Sequence, residues 1–473
     1  MLHICVRQAA LRNPEYPTGT RTEGTAMDRS VRVAIVGAGP AGIYTADILT
    51  RAVPTATVDI FDRLPTPYGL IRYGVAPDHP RIKEIITALH HVLDDPRIRF
   101  IGNVDYGVDV KPEELDQFYD ATVIATGADK DRELAIPGID LPGSFGAADF
   151  VSWYDGHPDV PRDWPLTATR VAVIGAGNVA VDVARVLAKT ADELLETEIP
   201  DNVHQRLMTS PVTDVHLFSR RGPGQVKFTP QELRELDESP NVEVIVHPEG
   251  MEFDEGSLAR IRAKRSVKMC VDILQNWAAR TPTARTRNLH LHFLEAPVEI
   301  LGQGRVTGLR TETQELTGDG SVRGTGVYTD WDVQAVYRAI GYLSRPIADL
   351  PFDAATGTVP HDAGRVLGLD GDRIPGRYVS GWIKRGPVGL IGHTKKDASE
   401  TVASLLADLP GKQTASTHPA DMLAHLARRG ITHTTWAGWQ QLDRHEIELG
   451  RPHGRTRVKV VPRQDMIDIS SVR

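Results

Sequence analysis

Two glycine loops carry the residues in this chain best suited to hold a reactive ligand. The first lies in Val33-Ala34-Ile35-Val36-Gly37-Ala38-Gly39-Pro40-Ala41-Gly42, the second in Val171-Ala172-Val173-Ile174-Gly175-Ala176-Gly177-Asn178-Val179-Ala180. In each, a short apolar run feeds a turn that opens into an apolar helix. Glycines at this spacing let backbone amides approach a pyrophosphate, and the helix N-terminus favours its charge. Two such units in one chain point to electron transfer between two nucleotides. The residues after each loop differ. Asp62 stands 25 residues after Gly37, at the end of the apolar run Val58-Asp59-Ile60-Phe61, where a carboxylate suits ribose hydroxyls. After the second loop, Val215-His216-Leu217-Phe218 ends in Ser219-Arg220-Arg221-Gly222. Two guanidiniums offer a 2′-phosphate planar, charge-assisted hydrogen bonds, whereas a carboxylate would repel it. The second loop, with Ala180 in its third small-residue position, therefore reads as an NADP(H) site. The first reads as a site for a dinucleotide with a free ribose diol.

The elements that must position these loops follow from hydrophobic pattern. Residues 31–36 read as a buried strand, 41–51 as a helix, 58–61 as the second strand, 81–93 as helical and 121–127 as a further strand. Up to about residue 128 this is one doubly wound unit. The Pro- and Gly-rich stretch 132–169 reads as a crossing segment. A second βαβ unit starts at 170–174, continues through a helix at 179–189 and reaches a strand at 215–218. Residues 242–335 read as short strands with turns, among them 289–293 and 298–301; 333–340 and 377–380 read as strands returning to a sheet, and 396–406 as a helix. The last 60 or so residues, with Trp436 and Trp439, are expected to wrap the surface.

Totals set limits. The chain has 473 residues and a net charge of −8, from 54 Lys and Arg against 62 Asp and Glu, which argues against a nucleic-acid partner. Its two cysteines, Cys5 and Cys270, form no CxxC pair, so this chain alone builds neither a dithiol centre nor a cysteine-ligated iron–sulfur cluster, and the low count suits a reducing cytoplasm. No apolar stretch reaches the roughly 18 residues of a membrane span. Residues 1–26 contain Arg7, Arg12, Arg21, Pro14, Pro17 and Gly19 without a sustained apolar core. They read as a disordered extension, or as an early start with Met27 the true one, with a transit peptide the weaker alternative, rather than as a secretory signal. The chemistry calls for no metal.

Three longer stretches carry a resemblance. They are Pro67-Tyr68-Gly69-Leu70-Ile71-Arg72-Tyr73-Gly74-Val75-Ala76-Pro77-Asp78-His79-Pro80; Arg220-Arg221-Gly222-Pro223 continuing through Gln225-Val226-Lys227-Phe228-Thr229 to Glu232-Leu233-Arg234-Glu235-Leu236; and Gly381-Trp382-Ile383-Lys384-Arg385-Gly386-Pro387-Val388-Gly389. Over roughly residues 30 to 470 the chain resembles the adrenodoxin-reductase-type NADPH–ferredoxin reductases. The resemblance implies an α/β fold of two Rossmann-like dinucleotide-binding domains. The NADP domain (131–338) is inserted in a discontinuous FAD domain (30–130 and 339–473), after an extension (1–29). It implies FAD contacts from Gly37, Gly39, Ala41, Gly42, Asp62, Leu70 and Tyr106, with Trp382, Gly389, Leu390 and Ile391 along the flavin. It implies NADP(H) contacts from Ala176, Gly177, Asn178, Val179, Arg220, Arg221 and Glu232, with Gly389 near the nicotinamide. Asp62 departs from the glutamate usual in relatives, and the Tyr106 contact is open to being made through backbone.

The implied activity is hydride transfer from NADPH to FAD, then single-electron transfer to a ferredoxin; the organic chemistry is the cofactor's, and the protein stacks and orients. His79, Asp182 and Glu232 are expected to cluster near the nicotinamide. There His79 relays a proton, holds the amide, or only braces its loop. The partner is an acidic ferredoxin met transiently by a cytoplasmic monomer, with Arg234 and the run Arg260, Arg262, Lys264, Arg265, Lys268 as its docking candidates. A flavin monooxygenase, a reductase subunit of a larger complex and a non-catalytic FAD scaffold are the alternatives. The missing cysteine clusters count against the second, and the Arg220–Arg221 pair against the third.

Overall fold

Valine- and isoleucine-rich runs, apolar on both faces, form the central strands; that pattern belongs to parallel strands covered on both sides. The computed structural model describes residues 31–283, 285–389, 391–409 and 421–471. In chain order the strands are β1 (Arg32–Val36), β2 (Thr57–Asp62), β3 (Ile98–Gly102), β4 (Ala121–Ile124), β5 (Lys130–Asp131), β6 (Ser144–Gly146), β7 (Arg170–Ile174), β8 (Asp214–Ser219), β9 (Val242–Val246) and β10 (Arg287–Phe293). They continue with β11 (Glu295–Leu301), β12 (Gly308–Leu316), β13 (Val322–Trp331), β14 (Ala335–Arg338), β15 (Tyr342–Leu343), β16 (His361–Asp362), β17 (Arg365–Leu367), β18 (Arg373–Val379) and β19 (Thr434–Thr435).

Two large sheets result. The first has the order β16-β17-β18-β4-β1-β2-β3-β19, the second β6-β14-β7-β8-β10-β9. The strands of the second all lie between β4 and β16 in sequence. β1 is parallel to β2 and β4, with Val33 opposite both Val58 and Ala121; β7 is parallel to β8 and β14. Each sheet thus changes direction beside a glycine loop, the crevice where doubly wound folds take ligands. The chain crosses between the sheets twice, and the crossings pair: β5 and β15 form an antiparallel ribbon with Asp131 opposite Tyr342. β11, β12 and β13 make a small antiparallel sheet over one face of the second.

The fold corrects several expectations. The helix expected at 81–93 is two, Pro80–Lys83 and Ile85–Leu93. The crossing segment 132–169 contains β6 and the helix Ala147–Tyr154, which buries Phe150, Trp153 and Tyr154; flanking Pro and Gly hid its apolar spacing. Residues 242–335 are not strands and turns alone. The helices Glu255–Ala263 and Arg265–Ala278 connect β9 to its parallel neighbour β10, and the second buries Val267, Cys270, Val271, Leu274 and Trp277 at helical period. The C-terminal segment is core as well as cover: the helix Trp436–Gly450 sets Trp439 and Leu442 among Ile35, Leu49 and Tyr68. Cys5 and the extension at 1–29 lie outside the described residues.

Candidate dinucleotide sites and the seam between them

The first loop is held from three sides. Gly37 N–H donates to Phe61 O at 2.7 Å, Ala38 N–H to Asp62 Oδ2 at 2.7 Å, and Tyr68 N–H to Ala38 O at 2.8 Å. Gly37 has φ +112°, and a Cβ there would stand 2.4 Å from Ala125 O; one on Gly42 would stand 2.0 Å from Gly37 O. Only glycine permits either approach. The helix Pro40–Ala52 starts at Gly39 with no side chain among the described residues capping it, so its leading amides are available to an anion. Gly69 lies across from Gly39, its would-be Cβ 3.1 Å from Gly39 Cα, and Leu70 follows directly. Tyr68, at φ +80°, carries strain in this turn. Asp62 Oδ1 also accepts from Leu64 N–H at 2.9 Å, while burial pushes its carboxyl pKa up. Each oxygen keeps a lone pair for a ribose hydroxyl.

The second loop repeats the frame. Gly175 N–H donates to Phe218 O at 3.0 Å, and Gly175, φ +154°, would drive a Cβ to 2.3 Å from Ala339 O. Ala176 O accepts Lys227 N–H at 2.9 Å, and Asn178 Oδ1 accepts Thr229 N–H at 2.9 Å. Among the described residues nothing lies within 4 Å of a Cβ on Gly177, and no side chain caps the helix Asn178–Ala188. Arg220 and Arg221 are exposed, and among the described residues neither guanidinium has a hydrogen-bond or ion-pair partner. That donor set, uncapped amides with two unpaired guanidiniums, fits a dinucleotide carrying a 2′-phosphate.

The two units meet. Half-buried Trp382 packs with Val179, Ala128, Ala148 and Tyr342. Gly381, φ +81°, precedes it and would bring a Cβ to 2.5 Å from the Ala41 Cβ. Gly389 is exposed at φ +87°, and its would-be Cβ lies 3.2 Å from the His393 ring. Leu390 and the side chain of Ile391 lie outside the described residues. Tyr106 follows two residues after Val104, whose N–H donates to Asp62 O at 2.9 Å. Its ring packs with the apolar cluster of Ile101, Val110 and Phe118, its buried hydroxyl has no hydrogen-bond partner among the described residues, and its charged neighbours are Arg377, Asp349 and Asp116.

Beside Trp382's neighbours the expected polar cluster is present and larger than expected. His79 Nε2 lies 2.8 Å from Asp182 Oδ1 and 2.7 Å from Glu232 Oε2, and Nδ1 lies 2.8 Å from Glu235 Oε2. The glutamate contacts are close but poorly aligned for hydrogen bonds. Burial disfavours the imidazolium, yet these three carboxylates outweigh burial and the nearby Arg185, pushing the His79 pKa up to about 11. Asp78 accepts from Arg185 through both oxygens at 2.8 Å and from Lys189 at 2.8 Å. Asp78 and His79 come from the first unit; Asp182, Arg185, Lys189, Glu232 and Glu235 come from the second. His79, Asp182 and Glu232 lie close enough together to ligate a metal, but Arg185 Nη2, 2.8 Å from Asp182 Oδ1, already supplies a cation there. Asp78, Arg185, Lys189 and Glu235 escaped the sequence reading. Their one local signal was that Asp182, Arg185 and Lys189 recur at helical spacing.

Fold and site together define the class, an oxidoreductase built around two dinucleotide sites. The family model for pyridine nucleotide-disulphide oxidoreductases matches residues 31–221. The chain is 41% identical over 444 residues to the NADPH-ferredoxin reductase FprA of Mycobacterium leprae, covering 90% of this chain and 96% of the relative. It is 37% identical over 468 residues to the mitochondrial NADPH:adrenodoxin oxidoreductase of Arabidopsis thaliana, covering 95% and 97%. The structure of Mycobacterium tuberculosis FprA in complex with NADPH aligns with TM-score 0.88 and 40% identity, covering 93% of this chain and all of that one. The chain belongs to the adrenodoxin-reductase-type family of NADPH–ferredoxin reductases.

Proposed function

We propose that this chain is a cytoplasmic NADPH–ferredoxin reductase, with FAD on the first loop and NADP(H) on the second. The observation that carries the reading is the seam: Trp382, from the unit of the Asp62 loop, packs on Val179 of the helix that opens the Arg220–Arg221 site. Two nucleotides laid on these loops have their reactive ends brought together. When bound, the flavin supplies the change from two-electron to one-electron transfer. The protein's own part is orientation. Arg220 and Arg221 take the 2′-phosphate, the Asn178 helix N-terminus takes the pyrophosphate, and Asp62 takes the ribose diol. The cluster of His79, Asp182 and Glu232 borders the nicotinamide pocket. His79 Nε2 faces Asp182 and Glu232 and also lies 2.7 Å from Arg185 Nη2, while Nδ1 faces Glu235; ringed by fixed charges of both signs, the imidazole orients the seam rather than relays. The units run as 30–130 with 339–473, and 131–338.

The docking face for an acidic ferredoxin includes Arg234, Lys264 and Arg265, which are exposed and have no ion-pair partner among the described residues. Arg262 and Lys268 are already paired, with Glu255 and Asp272, and Arg260 is half-buried beside Val226 O. Among the described residues no helix is long and apolar enough to cross a membrane.

Anaerobic stopped-flow reduction tests the reading. NADPH is expected to bleach the flavin much faster than NADH, and a ferredoxin then to be reduced faster than oxygen. Equal rates with the two coenzymes, or peroxide as the main product, overturn it.

A further inference from the structure

Residues 455–463 lead from the helix Trp436–Gly450 to the helix Arg463–Ser470 and carry four cations, Arg455, Arg457, Lys459 and Arg463. By chain position this strap belongs to the first unit, yet much of its charge goes to the second. The buried Lys459 Nζ lies 2.7 Å from Glu198 Oε1 and donates to Asp155 O at 3.1 Å and Asp155 Oδ1 at 3.4 Å. The buried Arg455 donates to Asp201 Oδ1 at 2.8 Å and to the Ile199 carbonyl. Arg463 donates to Asp159 Oδ1 at 2.6 Å, and Arg457 Nε lies 3.6 Å from Glu198 Oε2. Two further cations of the first unit join them. Lys83 pairs with Glu198 and lies 3.5 Å from Asp155 Oδ1, and Arg63 donates to Asp159 Oδ2 at 2.5 Å. The charges in these pairs are sorted. Every cation comes from the first unit, and every carboxylate (Asp155, Asp159, Glu198 and Asp201) from the second. Around His79, by contrast, each unit supplies both signs.

The strap is tied as firmly beside the first loop. Lys459 Nζ donates to Arg72 O at 2.8 Å, in the short helix Leu70–Tyr73 that follows Gly69. The Arg72 guanidinium donates to both oxygens of Glu446, at 3.0 and 2.5 Å, and Glu446 Oε1 accepts Val460 N–H at 3.0 Å. The same guanidinium lies 5.0 Å from the centre of the Trp439 ring, which packs edge-on against Tyr68. Lys459 therefore grips one carbonyl from each unit, Arg72 O and Asp155 O, and a carboxylate of the second. An ammonium has three hydrogens, and each has an oxygen here. Apolar packing does not close this edge. A cavity of about 510 Å³ opens between Pro200 and Asn202 on one side and Leu449, Val461 and Ile469 on the other, so the polar contacts do the holding.

We propose, on the reading that FAD and NADP(H) occupy the two loops, that Lys459 is a positioning residue for hydride transfer: through Arg72 O, Asp155 and Glu198 it sets the spacing between the loops. None of its polar contacts among the described residues is with either glycine loop, Arg220 or Arg221. Its loss therefore leaves each nucleotide site whole and lets one unit shift against the other. Hydride transfer depends on alignment across that seam, where a misplacement of about 1 Å costs roughly 100-fold in rate. When Lys459 is replaced, Lys83 still faces both Glu198 and Asp155, so neither carboxylate is left without a cation and the chain is expected to fold.

The test compares the full flavin-loaded chain with Lys459→Met. The variant is expected to keep its flavin content and its affinity for NADP⁺, while flavin reduction by NADPH slows roughly 10- to 100-fold. The long-wavelength absorbance of a nicotinamide stacked on the flavin is expected to weaken with it. Glu198→Gln, made from the other unit, is expected to give the same pattern, and the double variant no more than the larger single effect, as for two ends of one contact. If Lys459→Met yields no folded chain, Glu198→Gln decides by the same readings. Spin labels read the spacing itself. Ala88→Cys and Gln275→Cys place one exposed label on each unit, with Cys5→Ser removing a competing thiol and Cys270 buried out of reach. The distance distribution from pulsed electron paramagnetic resonance is expected to be narrow, and to broaden when Lys459→Met is added. The proposal is overturned by an unchanged distribution, by a native rate of flavin reduction, or by a loss of flavin or of NADP⁺ affinity that accounts for the slower rate. A native chain that NADPH does not reduce overturns the proposed activity instead, and the distance measurement still decides whether Lys459 sets the spacing.

Discussion

The two glycine loops share a backbone and differ in their finish. In both, the first glycine donates to the end of the neighbouring strand, Phe61 O at 2.7 Å and Phe218 O at 3.0 Å. In both, a Cβ on that glycine would meet a carbonyl of a crossing segment, Ala125 O at 2.4 Å or Ala339 O at 2.3 Å. The difference lies at the ribose end. Asp62 is drawn in and held by the amides of Ala38 and Leu64, and Gly69 closes over Gly39. Arg220 and Arg221 stand in solvent with no protein partner among the described residues, and Gly177 faces open space. The first loop is enclosed, as suits a resident cofactor. The second is open, with its charges waiting, as suits a coenzyme that must arrive and leave.

The largest effect should come from the glycines, because there the loops can be told apart by what a methyl group hits. Gly37→Ala puts a side chain at positive φ and against a carbonyl, so little flavin-loaded protein is expected, measured as the ratio of flavin to protein absorbance after purification. Gly177→Ala meets nothing within 4 Å. It should fold and keep its flavin, yet bind NADPH roughly tenfold more weakly, because the open space is the coenzyme's. Equal flavin loss in both variants would break the contrast.

Next in size is the coenzyme choice. Hydrogen bonds to charged groups are each worth about 1.5–3 kcal/mol, so replacing Arg220 and Arg221 together by Ala should cut the ratio of kcat/KM for NADPH over NADH by at least about 100-fold. The flavin content should not change. If the ratio barely moves, the guanidiniums do not read the 2′-phosphate, and the asymmetry between the loops has another meaning.

What could be read from sequence follows from how local each feature is. Both loops, Asp62 and the Arg220–Arg221 pair are set within one βαβ unit each, so spacing alone placed them. The seam could not be read the same way. Its charges come from three distant segments, at residues 78–79, 182–189 and 232–235, and each alone looks like ordinary surface polarity. Sequence brings His79, Asp182 and Glu232 together as an expectation; nothing in it points to Arg185, buried at 2% exposure. The helix Arg265–Ala278 was legible in Val267, Cys270, Val271, Leu274 and Trp277, but its charged half and the neighbouring strand-like runs outweighed that spacing. At Tyr106 the sequence says least: its neighbourhood is plain, its ring packs in the cluster of Val36 and Phe61 on one face of the first sheet, and the expected contact is open to backbone as well as side chain.

A smaller effect is expected at Asp62, the enclosed loop's counterpart to the arginines. Asn keeps one oxygen for the Ala38 or Leu64 amide but turns an N–H toward the other. Asp62→Asn should therefore loosen FAD about tenfold, in line with the loss of about one hydrogen bond, measured by flavin release in mild denaturant. The NADPH-to-NADH ratio should stay as it was. A change in that ratio would mean the two sites are not as separable as their geometry suggests.

The smallest kinetic effect, and the sharpest check on where the loops meet, concerns His79. Its pKa is pushed from 6.5 to about 11 by Asp182, Glu232 and Glu235 against the cost of burial. A histidine whose folded pKa is raised contributes stability that is fully present below about 6.5 and is lost as pH rises through the folded value. Two consequences separate. The melting temperature should fall gradually from pH 7 to pH 10 in the native chain and less steeply in His79→Gln, because only the folded native chain retains this proton over that range. The rate of flavin reduction by NADPH should change less than twofold between pH 6 and pH 8 from this residue, since its charge does not change there. A kinetic limb near the ordinary histidine value that vanishes in His79→Gln would show that the ring does exchange its proton. The seam would then be a relay between the sites instead of a clasp that holds them in register.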